Sequence, residues 1–137
     1  MTDLRYSLLV GCVALLAATS AARAQEDDFS GRWDTNMGEM RMQQAGDHIV
    51  GSYELKGGRV EGHVDGNTLR GIWTQYSADH RCLEPRMGSD YWGRFQLHLN
   101  RDGDAFYGHW SYCDNERGTG GNWTGQRRHL RRYPGRF

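Results

Sequence analysis

The chain has 137 residues, with 17 Lys and Arg against 17 Asp and Glu, so its formal net charge is zero. That balance argues against nucleic acid as a main partner, since such a role usually needs a basic face. The length suits one domain behind a short leader.

Arg5 opens the chain on a weakly positive note, and Tyr6 to Ala18 form an apolar stretch too short to cross a bilayer as a helix. Ala22-Arg23-Ala24 then offers a small-x-small cleavage site. Residues 1–24 are thus expected to be a signal peptide cleaved after Ala24, with residues 25–137 as the mature domain. Leu9-Val10-Gly11-Cys12 competes as a lipobox in which Cys12 would be acylated, but few apolar residues precede that cysteine. The expected location is periplasmic or secreted. Two of the three cysteines, Cys82 and Cys113, remain after cleavage. An even pair in an oxidising compartment predicts one disulfide.

Beyond Gln25 the pattern is Gly-x-aromatic: Gly31-Arg32-Trp33, Gly51-Ser52-Tyr53, Gly71-Ile72-Trp73, Gly108-His109-Trp110 and Gly121-Asn122-Trp123. The first three are spaced by 20 residues, about the length of two short strands with their turns. Turn residues that tolerate positive φ separate the repeats at Gly46, Gly57-Gly58, Gly66 and Gly103. Strands are therefore predicted near 29–35, 39–44, 48–55, 59–64, 68–76, 91–100, 105–112 and 121–128. No stretch of the mature chain carries a helical apolar period.

Alternation in steps of two assigns the faces. One face collects Phe29, Trp33, Met40, Met42, Ile49, Tyr53, Leu55, Val60, Val64, Leu69 and Trp73, then Phe95, Leu97, Leu99, Phe106, Trp110, Tyr112 and Trp123. The other carries Arg32, Asp34, Arg41, Glu61, Arg70, Arg94, Gln96 and Gln126. Eight antiparallel strands with one apolar face bury it by curling into an up-and-down barrel, which also removes both edges. The alternative is an open, MORN-like sheet of hairpins. Connections in a barrel alternate between its ends. The two long ones, 77–90 and 113–120, then share one mouth and bring Cys82 and Cys113 to the same end. Inner-face glycines would leave room for neighbouring rings and permit tight coiling.

That mouth carries Arg59, Asp79, His80, Arg81, Glu84, Arg86, Asp90, Asp114, Asn115, Glu116 and Arg117. Loops on a rigid sheet commonly hold recognition residues. Asp79, His80 and Glu84 would serve acid–base chemistry, but no nucleophile stands in a recognisable motif, and no phosphate-cradling or metalloprotease motif occurs. His48, His63, His98 and His109 fall on the outer face with no zinc-like spacing, so neither a metal nor a cofactor is expected. The basic run Arg127-Arg128-His129-Leu130-Arg131-Arg132 leads into a C-terminal tail, 129–137, and the polar outer face excludes insertion into a membrane as a barrel.

Residues Gly31 to Gly38, followed by Gly51-Ser52-Tyr53-Glu54, are similar to the opening hairpins of avidin and streptavidin. Tyr53 matches a ligand-contact position of that family, whereas Thr35, Glu39 and Leu55 differ from its ligand pattern. Gly31-x-Trp33 together with Arg127 late in the last strand resembles the Gly-x-Trp and Arg signature of lipocalins. Both resemblances imply a calycin-like barrel that binds small molecules. The chain is similar too to bacterial periplasmic protease inhibitors and to secreted bacterial proteins with Gly-Trp hairpin repeats. The expected function is non-catalytic binding of a small molecule at the barrel mouth. Trp33, Tyr53, Trp73 and Trp110 would form stacking walls, and Arg81, Glu84, Arg86 and Arg117 polar contacts. The alternative is an inhibitor or protein-interaction module using the mouth loops and the N-terminal segment.

Overall fold

The computed structural model describes residues 28–115 and 120–129. The expected signal peptide 1–24 with Cys12, residues Glu116 and Arg117, and the tail from 130 to 137 lie outside the described residues. Eight strands follow one another: β1 Gly31–Thr35, β2 Gly38–Ala45, β3 His48–Tyr53, β4 Gly58–Asp65, β5 Thr68–Gln75, β6 Tyr91–Leu99, β7 Ala105–Trp110 and β8 Gly121–Arg127. Each pairs antiparallel with the next, and β1 pairs with β8 through Trp33↔Arg127, Asp34↔Gln126 and Thr35↔Gly125. The sheet is a closed up-and-down barrel. Closure sets aside the open array of hairpins. Among the described residues no helix is long and apolar enough to cross a membrane.

Three strands are shorter by two residues than the residue pattern suggests, each for a local reason. Before β1, the Ser30 amide donates to the Asp28 carboxylate at 2.7 Å, bending the chain into a strap across one end. After β3, Leu55–Gly57 forms a 3-10 turn in which Lys56 takes φ 48°. After β7, the chain leaves the ladder, and Cys113 stands at φ 55°.

The strap closes the end where β1 begins. Phe29 is buried there, and its carbonyl accepts the Trp33 indole N–H at 3.0 Å. Arg127 lays its guanidinium over the Trp33 ring, 4.3 Å from the centroid, and donates to the Ser30, Asp28 and Gly103 carbonyls. One side chain thus ties β8, the strap and the β6–β7 turn together, with a cation–π contact worth about 0.5–2 kcal/mol. Above this floor Met40, Met42, Ile49, Val60, Leu69, Leu97, Leu99 and Phe106 fill the interior. An eight-stranded barrel is about wide enough for such a filling.

One aromatic departs from the simple inside–outside pattern. Trp92 stands on the outward face of β6 yet is only 3% exposed. Segment 81–90 folds back over it: its indole N–H donates to the Glu84 carbonyl at 2.7 Å, and the Arg86 guanidinium lies 4.9 Å from its ring.

Candidate functional site

The end opposite the strap carries the β1–β2, β3–β4, β5–β6 and β7–β8 connections. Between them opens a cavity of about 250 Å³ walled by Tyr53, Trp73, Trp110, Tyr112 and Trp123. Met37, Leu55, Gln75 and Ala78 complete the wall, and Lys56 and Asp79 bring one charge of each sign to it. These side chains converge because alternate positions at the upper ends of β3, β5, β7 and β8 all point inward.

Trp73, Trp110 and Tyr112 meet edge to face, with centroids 5.0–5.9 Å apart and interplanar angles of 71–90°. Tyr53 and Trp123 pack in the same manner at 5.0 Å. Such pairs favour quadrupole-matched geometry over stacking and hold one another rigidly. The Trp73 N–H is satisfied by the Ser111 carbonyl at 3.1 Å. Gln75 donates to the Tyr53 hydroxyl at 2.9 Å. The indole N–H groups of Trp110 and Trp123 are buried and find no acceptor among the described residues. A buried donor without a partner costs about 1–3 kcal/mol.

Burial holds the Tyr53 phenol well above the ordinary tyrosine range, against a smaller opposing effect of the Gln75 hydrogen bond. The Tyr112 phenol is raised too, by burial and then by the nearby Asp79 carboxylate. For Tyr53 the folded state keeps its proton after the unfolded chain has begun to lose its own, near pH 10. Its contribution to stability is therefore full below about pH 10 and falls as pH rises beyond it. Denaturant unfolding of the wild type should weaken steeply above about pH 10, and Tyr53→Phe should flatten that alkaline limb. Equal alkaline slopes in the two proteins would exclude Tyr53 as its source.

Of the residues singled out in the sequence, Tyr53, Trp73 and Trp110 line this cavity. Trp33 does not: it is fully buried at the closed end against Phe106 and Arg127. Arg81, Glu84 and Arg86 do not line it either. Arg81 pairs with Asp90 at 2.7 Å, and Glu84 and Arg86 border an outer groove beside Arg70, Arg94 and His109. The reason is Trp92, whose apolar surface draws segment 81–90 away from the mouth and onto the barrel wall. Arg117 lies outside the described residues. Trp123, Tyr112 and Lys56 complete the cavity without having been singled out. Inward parity marked Trp123 and Tyr112 as interior, but parity says nothing of height along the barrel axis.

Cys82 and Cys113 form the disulfide, with Cα atoms 5.6 Å apart. It joins the two long mouth connections, and a formed bridge fits an oxidising, extracytoplasmic setting. No family model, curated protein or solved structure matches the chain. The architecture itself, a closed eight-stranded antiparallel barrel, is consistent with the calycin-like resemblance.

Proposed function

We propose that the protein is an exported, non-catalytic binding barrel that takes a small, planar, mainly apolar ligand with an oxygen acceptor in its mouth cavity. One observation carries the reading: five aromatic rings wall one cavity, and two of them, Trp110 and Trp123, hold buried indole N–H groups without an acceptor among the described residues. An oxygen on the ligand would satisfy what the protein leaves open, and the flat rings would supply apolar contact. The volume of about 250 Å³ sits just below the usual range for drug-sized ligands, so a molecule of one or two rings fits best. The paired cysteines and the leader-like N-terminus support an exported setting.

The test is a tryptophan fluorescence screen against pools of small neutral aromatics carrying a carbonyl or hydroxyl. Ligand binding should shift or quench the emission, and Trp110→Phe should weaken binding because it removes one donor and part of the aromatic contact surface. A screen in which no pool changes the emission would overturn the reading.

A further inference from the structure

We propose that the ligand of the mouth cavity is a zwitterion of the α-amino-acid type with an oxygen-bearing aromatic side chain, its carboxylate held by Lys56 and its ammonium by Asp79. This inference rests on the binding reading above and adds the chemical class of the ligand.

Lys56 is the only lysine of the chain. It stands at φ 48°, next to Gly57 at φ 61°, in the turn between β3 and β4. Consecutive positive φ values in a hairpin turn suit Asn, Asp or Gly, so the turn alone gives no reason for a lysine. Its carbonyl accepts the Tyr76 amide at 3.1 Å, which pins the turn to the β5–β6 connection. Lys56 lines the cavity. Asp79 reaches the same cavity from the β5–β6 connection.

Some charges around these two residues are matched within the protein, whereas Glu54, Arg59 and Glu84 form no ion pair among the described residues and do not line the cavity. On the β5–β6 connection Asp90 pairs with Arg81, and Asp114, after β7, pairs with Arg94 of β6, each at 2.7 Å. On the outer wall Arg128 pairs with Asp34 and Glu39. Lys56 and Asp79 form no ion pair with each other or with any other described residue. Two opposite charges are thus left open beside one aromatic cavity. A ligand with a single charge would meet attraction from one of them and repulsion from the other. A zwitterion matches both. Its ring would lie among Trp73, Trp110 and Tyr112, and an oxygen at its far end would accept from the orphan indole N–H groups.

Isothermal titration of the disulfide-intact protein with five probes separates the terms. L-Tyrosine carries both charges and the oxygen, and L-phenylalanine lacks the oxygen. N-Acetyl-L-tyrosine keeps only the negative charge, tyramine only the positive one, and p-cresol neither. L-Tyrosine should bind tightest, and each probe lacking one feature should bind about tenfold more weakly or worse. Lys56→Met should weaken L-tyrosine by a similar factor while leaving tyramine no weaker, and Lys56→Arg should restore it. Asp79→Asn should mirror this, sparing N-acetyl-L-tyrosine. The unaffected probe shows that each variant still folds. If p-cresol binds as tightly as L-tyrosine, or if Lys56→Met leaves L-tyrosine unchanged, the zwitterion assignment is overturned and the small-molecule reading stands. If L-tyrosine does not bind while neutral aromatics from the fluorescence screen do, the outcome is the same. Failure of every neutral pool in that screen together with all five probes overturns the binding reading itself.

Discussion

Gly71→Val should remove much of the barrel's stability. Gly71 faces Gly62 across the β4–β5 ladder, on the inner surface. A Cβ built at Gly71 would sit deep inside contact distance of the Glu61 carbonyl oxygen and 2.7 Å from the Gly62 Cα. Those atoms belong to a paired strand, so they cannot rotate aside as a flexible side chain would. Overpacking of a core costs about 1–3 kcal/mol, occasionally more, and a clash with backbone belongs at the upper end. The same closeness recurs around the interior, where a Cβ at Gly51, Gly62 or Gly108 would strike the carbonyl of a neighbouring strand. These glycines let strongly coiled strands approach and close a small barrel. Gly121→Ala is the control, because its Cβ would meet only the Trp110 ring at 3.4–3.6 Å, an ordinary contact. Thermal and denaturant unfolding of both variants decides the matter. A Gly71→Val protein that melts like wild type would refute the close inner-face packing of β4 and β5.

Breaking the disulfide is expected to have the other large effect. Cys82 and Cys113 are 31 residues apart, and their bridge closes a loop through β6 and β7. On the chain-entropy model a loop of that size stabilises by about 3–4 kcal/mol, against a total of about 5–15 kcal/mol for a typical domain. Cys82→Ser/Cys113→Ser should therefore lower the melting temperature clearly. The β spectrum at low temperature should persist, because backbone bonds still hold both segments. The Cys113 amide donates to the Trp92 carbonyl at 2.9 Å and the Cys82 amide to the Asp90 carbonyl at 2.8 Å. Ligand affinity should fall as well, since Asp79 and Tyr112 stand on the two connections the bridge joins. Peptide mapping of exported protein that finds both thiols free would overturn this expectation.

Much of the fold was legible because it depends on local period. Strict alternation from Ile49 to Tyr53 or from Phe95 to Leu99 states which side chains face inward. The glycine-bearing turns between strands state where the chain reverses. Closure then followed from a count: with eight antiparallel strands, the two long connections share an end, and the two cysteines on them are found bridged. The Tyr53, Trp73 and Trp110 part of the cavity was readable for the same reason, each ring standing near the mouth-side end of its strand.

Height along the barrel and the path of the long connection were not readable. Trp33 and Trp123 carry the same Gly-x-Trp signature and the same inward parity. Yet Trp33 lies beneath Arg127 at the closed end, and Trp123 lines the cavity. Period two distinguishes inside from outside but carries no information about level, which is set by how neighbouring strands are staggered as the sheet closes. Segment 81–90 leaves the mouth because Trp92, outward on β6, needs cover for its ring and an acceptor for its N–H, and Glu84 and Arg86 supply them. Alternation along each strand thus settled which strand residues face inward. Contacts between segments distant in sequence decided which of them meet around the cavity, because only closure of the barrel brings four strand ends and two loops to one place.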